Sequence, residues 1–494
     1  MKYNPTIGLE IHIELNTKSK MFCGCPNDSS TVVPNKNICA VCSGQPGTLP
    51  VINQEAVQKV IKTATALNCE VADETFFERK NYFYPDLPKG YQISQYQTPF
   101  SRNGYLDLPT SGKRIRIERI HLEEDAGKLA HPEGADYSLV DLNRAGVPLM
   151  ELVTEPDIHA ASEAVEFVKE LQMILRCLDV SEANMERGEM RCEVNISLAK
   201  ENASELGVKS EIKNLNSLKA VERSIEFEIK RQGDLLSRGE DVAQETRGWH
   251  DKKEITFSQR SKESSHDYRY FPEPDLPALK IDEGFLSRAK AEIPELPRQK
   301  RQRFAKEYRL TEKEIELYIS QRDLGNYFEK VISELTNWVA EKYESGVSPA
   351  EFQKLIKLAS NYIATDLQAL LKEKGIDNFS EAKFKITPEN FAEFLSMIYL
   401  GEISSKIAKM LLLEMFFNGG DPSQIIADKG WQMVSDKGEI EKAVKDIIAA
   451  NPKAVQDYKS GKESSAQFLM GQVMAKTKGK AKPEMVQALL KKLL

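Results

Sequence analysis

Hydrophobic and polar residues alternate along the first part of the chain in a pattern that predicts strands. In residues 7–15, Leu9, Ile11 and Ile13 fall on one side and polar residues on the other, and residues 114–120 repeat the alternation. Successive side chains of a strand point to opposite faces of a sheet. We therefore expect strands that are each buried on one face.

Helices are predicted between these strands. Apolar residues recur at intervals of three and four in residues 54–67, 162–178 and 218–232, which is typical of helices with one buried face. Asn216 or Ser217 is the expected N-cap of the third helix, because either side chain can accept from free backbone amides. The mixture of strands and helices predicts an α+β fold for the first part of the chain.

Beyond residue 297 the strand-like alternation stops and the pattern becomes helical. Prolines within residues 271–277 and 293–297 predict a connector, and Gly-Gly-Asp-Pro at 419–422 predicts a helix end followed by a smaller helical module. The chain has 494 residues, which exceeds the roughly 250–300 residues that one core supports. We expect three domains, at residues 1–292, 293–407 and 408–494.

The charge balance restricts where nucleic acid could bind. The net charge of -7 argues against a surface that is basic throughout, so any such contact must come from a local patch. From residue 451 onward there are nine lysines and three acids, which makes this segment a candidate phosphate-contact surface or simply a solvated tail. Its most basic stretch contains Lys476, Lys478, Lys480 and Lys482.

Neither a signal peptide nor a membrane span is expected. The first residues lack an apolar run, and the richest later run, residues 410–417, is interrupted by Glu414 and is too short to span a bilayer. Four of the seven cysteines are clustered, which suits a reducing compartment with a metal site better than a disulfide framework. The sequence therefore predicts a soluble, cytoplasmic protein.

The clustered cysteines have the spacing of a zinc site. They form C-x-C followed, after thirteen residues, by C-x-x-C. Four thiolates would complete a tetrahedral coordination sphere and leave no position for a reactive water, so the predicted zinc is structural. The alternative is that these are ordinary thiols. The predicted ligands are Cys23, Cys25, Cys39 and Cys42.

Acids and histidines in several segments predict a second metal site. Glu10 and His12 share one face of the first strand, which could also be a plain solvated face. Residues 121–125, His-Leu-Glu-Glu-Asp, follow the strand predicted at 114–120, and Glu151 lies further on. Oxygen ligands from several segments suit Mg²⁺, which also bridges substrate phosphates.

Nucleotide binding, if present, must use this sheet surface. Residues 79–94 combine aromatic and basic side chains in a proline-containing loop that could hold a nucleotide or a tRNA end, or could simply pack. The sequence has no glycine-rich phosphate loop and no convincing nucleophile motif. Metal ions on the sheet would then have to position any ATP.

Ten blocks of sequence together resemble one known family, the GatB subunits of the aspartyl/glutamyl-tRNA amidotransferases. The blocks extend over nearly the whole chain. They are GLEIH (8–12), RKNYFYPD (79–86), HLEEDAGK (121–128), SLVDLNR (138–144), MRCEVNIS (190–197), KNLNS (213–217), QETR (244–247), DYRYFPEPD (267–275), SSKIAK (404–409) and GQVM (471–474).

The resemblance implies a fold and a reaction. It implies a glutamine-synthetase-like cradle domain at 1–292, an all-α helical domain at 293–407 and a YqeY-like, tRNA-binding tail at 408–494. ATP would phosphorylate the side-chain carboxylate of Glu on mischarged tRNA(Gln), of Asp on tRNA(Asn), or of both, and ammonia would then displace the phosphate. A separate amidase (glutaminase) subunit would supply the ammonia, and a small third subunit would complete the complex.

The resemblance also implies roles for individual residues. The cofactors would be ATP and Mg²⁺, beside the structural Zn²⁺ that the cysteine spacing predicts. Metal coordination and catalysis would fall to Glu10, His12, Glu124 and Glu151, with Glu123 and Asp125 as alternatives; phosphate or nucleotide contacts would fall to Lys89, Arg191 and Arg269.

Two other readings are compatible with parts of the sequence. A zinc-stabilised tRNA-binding subunit without chemistry of its own would need only the cysteines and the basic tail. It predicts that substitutions in the acidic site leave function intact. A metal-dependent hydrolase is less well supported, since no open transition-metal site is evident.

Overall fold

The computed structural model describes residues 3–28, 31, 33–201, 203, 205–261, 267–342, 347–376, 379–380, 384–432, 437–460, 462–477 and 480–494. The chain divides into two compact units, Met1–Gln299 and Lys300–Leu494. Within the described residues, no helix is long and apolar enough to cross a membrane.

The first unit contains the strands that the alternating pattern predicts, together with four helices before its last residues. The strands are β1 (Tyr3–Glu14), β2 (Glu70–Val71), β3 (Glu74–Thr75), β4 (Glu78–Asn81), β5 (Tyr91–Ser94), β6 (Ser101–Asp107), β7 (Arg114–Glu124), β8 (Lys128–Ala130), β9 (Leu139–Asp141), β10 (Pro148–Thr154), β11 (Met190–Lys200), β12 (Ser210–Leu215), β13 (Glu245–His250), β14 (Ile255–Ser261), β15 (Phe271–Pro272) and β16 (Leu279–Lys280). The helices are α1 (Gln54–Ala66), α2 (Ala161–Cys177), α3 (Leu218–Ser237) and α4 (Glu283–Ala291).

A nine-stranded sheet forms the centre of this unit, with strand order β14-β13-β12-β11-β1-β10-β7-β6-β2. Neighbouring strands are antiparallel except β12 and β13, which are parallel. Leu9, Ile11 and Ile13 of β1 are buried as predicted, whereas Glu10 and His12 lie on the opposite face. We call this opposite side the polar face. The α+β class predicted for this part of the chain is confirmed.

Helices cover the apolar face of the sheet. Buried residues of α1, α2 and α3 join those of the strands in one hydrophobic core. Ser217 caps α3, because its side chain accepts a hydrogen bond from the amide of Ala220 at 3.1 Å. The predicted end of this helix at Gln232 is too early, since Gly233 continues the helix to Ser237.

The strand predicted to end at Ile120 is longer in the structure. β7 continues to Glu124 because its last residues pair with β10. The buried hydrophobic positions of β7 change from odd-numbered to even-numbered residues near the point where its register with β10 shifts. Ile117 and Ile120 are therefore both buried although they are three residues apart. His121 and Glu123 consequently lie on the polar face.

A small sheet of β15, β4 and β5 lies beside the last residues of β7, where β5 contacts side chains from both faces of the central sheet. The hydroxyl of Ser94 donates to Glu123 at 2.9 Å. The backbone amide of Ile93 donates to Glu124, also at 2.9 Å. Ser94 also lines a cavity over the central sheet, so β5 is one wall of a hollow whose floor is the polar face.

The second unit consists of helices in its described residues. The helices are α5 (Pro297–Arg303), which starts at the end of the first unit, α6 (Glu312–Ser320), α7 (Arg322–Lys342), α8 (Pro349–Asn361), α9 (Gln368–Glu373), α10 (Pro388–Tyr399), α11 (Ser405–Asn418), α12 (Pro422–Lys429), α13 (Lys437–Ala450), α14 (Pro452–Lys459), α15 (Glu463–Lys476) and α16 (Pro483–Leu493), with π-helical turns at Phe304–Tyr308 and Tyr362–Leu367.

The helix end predicted at residues 419–422 is confirmed. α11 ends at Asn418, and the side chain of Asp421 caps α12 by accepting from the amide of Gln424 at 2.9 Å. The last four helices share a hydrophobic core of their own, as a small separate module would. The boundaries at 292 and 407 and the likeness of the domains to other folds stay predictions.

Candidate active site

Four polar side chains lie side by side on neighbouring strands of the central sheet. His121 of β7 is opposite Glu151 of β10, Glu151 is opposite His12 of β1, and His12 is opposite Arg191 of β11. Opposite residues of antiparallel strands share a face, with Cβ atoms about 4.5–5.5 Å apart. We call these four residues the central row.

Carboxylates beside the central row approach both histidines. Nε2 of His12 lies 3.3 Å from Oε2 of Glu151 and 3.9 Å from a carboxylate oxygen of Glu10 and of Glu123. Nε2 of His121 lies 3.6 Å from Oε2 of Glu151 and 3.7 Å from Oε2 of Glu123. Glu151 is therefore within reach of both imidazoles.

Two overlapping groups in this cluster have the composition of a metal site. Glu10, His12 and Glu151 form one group, and His121, Glu123 and Glu151 form the other, with ligand atoms within 4.8 Å of one another in each. Carboxylate oxygens are the ligands that Mg²⁺ prefers, and it is commonly bound by one or two of them. Among the described residues, only Glu151 belongs to both groups.

The electrostatics of the cluster favour a positive charge at its centre. Burial would lower the pKa of His12, but the hydrogen bond and charge of Glu151, with the charges of Glu123 and Glu10, outweigh burial and raise the pKa to about 9. Burial would raise the pKa of Glu151, but His121 and His12 lower it. A divalent cation would supply the positive charge that the proton on His12 otherwise supplies.

The pKa of Glu10 also indicates that a cation would stabilise the cluster. Burial, followed by the charges of Glu151 and Glu193, raises the pKa of Glu10. In addition, Nδ1 of His121 is buried and has no hydrogen-bond partner among the described residues. Like charges in a buried cluster repel one another, so a bound cation would stabilise this arrangement.

Two adjoining cavities open over the polar face. One has a volume of about 380 Å³ and the other about 840 Å³. Glu10, Lys80 and Lys213 line both, so these side chains stand where the cavities meet. His12, Glu123 and Arg191 are among the further residues of the smaller cavity, and Arg119, His121 and Glu151 are among those of the larger.

Comparison with known proteins identifies the family. A family model described as the GatB/GatE catalytic domain matches residues 5–287, and one described as the GatB domain matches residues 327–494. The B subunit of the aspartyl/glutamyl-tRNA(Asn/Gln) amidotransferase of Thermotoga maritima is 46% identical over 501 residues, covering 100% of this chain and 99% of the relative. Those of Caldicellulosiruptor bescii and Persephonella marina are 45% and 44% identical, covering 100% of this chain and 99% and 100% of the relatives.

This chain belongs to the GatB family of amidotransferase subunits. It is therefore a component of a ligase, and the resemblance seen in the sequence blocks is confirmed. The GatB/GatE catalytic model covers the first unit up to residue 287, which contains the central row and both cavities.

The structure brings together most of the acidic residues predicted for this GatB chain. Glu10, His12 and Glu151 meet in one cluster, and the alternative Glu123 joins them. Glu124 does not belong to either candidate metal group: it forms an ion pair with Lys89 and accepts from the backbone of β5. The cause is strand alternation, since adjacent residues of β7 point to opposite sides.

The predicted phosphate ligands fall in different places. Arg191 lines the smaller cavity, where Asp125 holds its guanidinium at 2.5 Å. Lys89 forms an ion pair with Glu124. Arg269 is exposed, and its backbone is in the left-handed region. Among the described residues lining the two cavities, Lys89 and Arg269 do not appear, so their contact with phosphate stays a prediction.

Sequence patterns indicate some residues of the candidate site only as members of larger blocks, and others not at all. His121 is visible as part of the acidic block, and Lys80 as part of the basic and aromatic block. Arg119 lies 3.3 Å from Glu151, and Lys213 lies 2.5 Å from Glu193. If the predicted strand is extended past Ile120, Ile120 and Leu122 face the core. The same alternation then places Arg119 and His121 on the polar face.

The four clustered cysteines meet as their spacing predicts. Their sulfur atoms lie within 4.8 Å of one another, and those of Cys39 and Cys42 are 3.9 Å apart. A Zn–S bond of about 2.3 Å places tetrahedral ligands about 3.8 Å apart. Hydrogen bonds from the Cys23 thiol and the Cys39 amide, with the charge of Lys20, outweigh burial and lower the pKa of Cys42 to about 4, whereas the bond to Cys42 raises the pKa of Cys23. Cys42 is therefore the first thiolate of the cluster, and a bound metal would displace the proton that Cys23 holds.

The basic stretch of the tail is only partly open for binding. Lys476 forms an ion pair with Asp446 at 2.7 Å. Lys480 is half-buried and Lys482 is exposed, whereas Lys478 lies outside the described residues.

Proposed function

We propose that this chain catalyses the ATP-dependent activation and amidation of the side-chain carboxylate of Glu on mischarged tRNA(Gln), of Asp on tRNA(Asn), or of both. The observation that carries the proposal is the pair of candidate metal groups that share Glu151 on the floor of two adjoining cavities. Family membership supports the amidation step, since the relatives are named as subunits of aspartyl/glutamyl-tRNA(Asn/Gln) amidotransferases. We further propose that the chain acts in the cytoplasm.

The chemistry requires a phosphoryl transfer before amidation. A carboxylate resists attack by ammonia, so one of its oxygens first bonds to the γ-phosphorus of ATP, and the bond from that phosphorus to the β-phosphate oxygen breaks to release ADP. Ammonia then attacks the acyl carbon, phosphate leaves with the C–O bonding pair, and the nitrogen loses a proton. Positioning and charge stabilisation supply most of the catalysis in such transfers.

The residues of the cluster fit Mg²⁺ in this role. Glu10, His12 and Glu151 would hold one ion, and His121, Glu123 and Glu151 are able to hold another. Bound Mg²⁺ would neutralise charge on the phosphoryl oxygens. Arg191, which Asp125 holds in place, would orient an anionic substrate group in the smaller cavity.

The remaining partners follow from the same proposal. Ammonia would come from a separate glutaminase subunit, and a small third subunit would complete the assembly. Structural Zn²⁺ at the four cysteines would fix the two short segments that carry them. The backbone next to the first segment joins the site: the amide of Met21 donates to Gly146, and that of Gly146 donates to Asp125.

An amidation assay tests the proposed function. The chain is purified with the other subunits of its complex and supplied with glutamine, Mg²⁺ and each mischarged tRNA in turn. We expect amidated tRNA to form only when ATP is present, and chelation of Mg²⁺ to abolish it. Amidation at an unchanged rate with Glu10→Gln would instead support a tRNA-binding subunit without chemistry of its own.

The tail lysines should contribute to tRNA affinity through charge alone. We expect Lys480→Ala with Lys482→Ala to weaken binding and to reduce the slope of log affinity against log salt concentration by up to about 2, because each phosphate contact releases counterions. Filter binding over a range of salt concentrations measures this slope. An unchanged slope would show that these lysines do not contact phosphates.

A further inference from the structure

One basic side chain between the two cavities differs from the others in forming no ion pair with a described residue. Five lysine or arginine side chains line the cavities in the described part of the chain. Four of them form ion pairs: Arg119 with Glu118 and Glu151, Arg144 with Asp125, Arg191 with Asp125 and Glu14, and Lys213 with Glu193 and Glu211. The fifth, Lys80, forms no ion pair with any described residue.

Aromatic rings hold Lys80 in place instead of carboxylates. Its Nζ lies 5.1 Å from the ring centroid of Tyr268 and 5.8 Å from that of Tyr82. Aromatic faces attract a cation without neutralising it. The ammonium of Lys80 is therefore positioned but still able to bind an anion.

The backbone beneath Lys80 is also fixed. Its neighbour Arg79 forms a bidentate ion pair with Glu273, with N···O distances of 2.6 and 2.8 Å. The other neighbour, Asn81, donates its amide to the carbonyl of Tyr268 at 3.0 Å. A lysine anchored in this way loses little further freedom when it binds a ligand.

The surroundings of Lys80 keep it charged. Burial would lower its pKa, but the charges of Glu123 and Glu151 contribute to outweighing burial and raise the pKa. This charged ammonium lies near the carboxylates and lines both cavities. It is therefore suited to bind a negatively charged group that moves from one cavity to the other.

We propose that Lys80 is a catalytic residue that contacts the phosphoryl group while it passes from ATP to the side-chain carboxylate of the aminoacyl-tRNA. The inference rests on the proposed function and deepens it. Negative charge is spread over the three equatorial oxygens of the group in transit, and the ammonium donates to one of them. Lys80 lines both cavities, and we place the triphosphate in one and the aminoacyl end in the other.

Nucleotide binding separates this role from a structural one. Lys80→Met removes the charge but keeps a side chain that can pack between Tyr82 and Tyr268. Calorimetry is done on the complex with Mg²⁺ and either ADP or the non-hydrolysable analogue AMPPNP, which carries a γ-phosphate. We expect AMPPNP affinity to fall by about 10-fold and ADP affinity to stay unchanged, because the lost contact is to the γ-phosphate alone. Equal weakening of both nucleotides, or of neither, would overturn the assignment.

The rate of phosphoryl transfer provides a second test. ADP release in the presence of mischarged tRNA should fall by about 10²- to 10³-fold in Lys80→Met, as on loss of one preorganised donor, and should recover in part in Lys80→Arg. Lys252→Met, in the exposed turn after β13, serves as the control and should behave as wild type. If Lys80→Met amidates at the wild-type rate, the assignment fails and the proposed function stands. If the wild-type complex shows no ATP-dependent amidation, both fail.

Discussion

Glu151→Gln is expected to lower the rate of ATP-dependent amidation by at least about 10²- to 10³-fold, the cost of losing a central electrostatic contact. Glu151 is shared by both candidate metal groups, so one substitution removes a carboxylate ligand from each. Glutamine keeps the shape of the side chain and preserves the strand. Amidation by the assembled complex, at saturating ATP and tRNA, measures the loss.

Two measurements make this result specific. Glutamine hydrolysis by the glutaminase partner should continue, because that reaction belongs to a separate active site in the proposed complex. Glu155→Gln is the matched control, since Glu155 follows the same strand but lines neither cavity among the described residues. Normal amidation by the Glu151 variant would remove the central row from the mechanism.

Cys42→Ser and Cys39→Ser should each reduce bound zinc from about one ion per chain to nearly none, because a structural site needs all four thiolates. The melting temperature should fall by several degrees, since metal binding of this kind contributes directly to folding. Metal analysis and thermal denaturation of the purified chain measure the two effects.

A serine elsewhere in the same unit controls for the substitution itself. Cys177 lies outside the cluster, and its thiol donates to the carbonyl of Glu295 at 3.3 Å, a hydrogen bond that serine can also make. Cys177→Ser should keep its zinc. Full zinc content in both cluster variants would show that the four cysteines are ordinary thiols.

The sequence predicts the first strand and its chemistry well because both depend on local alternation. Leu9, Ile11 and Ile13 identify the buried face of β1, so Glu10 and His12 must share the other face. The cysteine spacing is equally local, and the four sulfur atoms meet as it predicts. Such features need no knowledge of distant contacts.

The choice between Glu123 and Glu124 illustrates the limit. The local pattern predicts that the strand before them ends at Ile120, which leaves the direction of each following side chain undetermined. In the structure, pairing with β10 extends β7 to Glu124, so alternation still applies. Glu123 faces the histidines, and Glu124 accepts from Lys89 and Ile93 instead.

The lack of an ion pair between Lys80 and any described residue could not be predicted from local sequence. Arg119 and Lys213 have similar polar neighbours in the sequence, yet both form ion pairs across strands. Whether a cation has a partner depends on which strands lie side by side. That information comes from long-range pairing, which a single sequence does not specify.

The central row has a consequence for how this protein can vary. Its four functional groups sit on adjacent strands joined by main-chain hydrogen bonds, so their separation is a property of the sheet repeat, about 4.8 Å per strand. Loops around the hollow can lengthen, shorten or change composition without altering that interval. We therefore expect substrate preference to vary with the loops at the rim, while the spacing of the candidate metal ligands on the sheet stays constant.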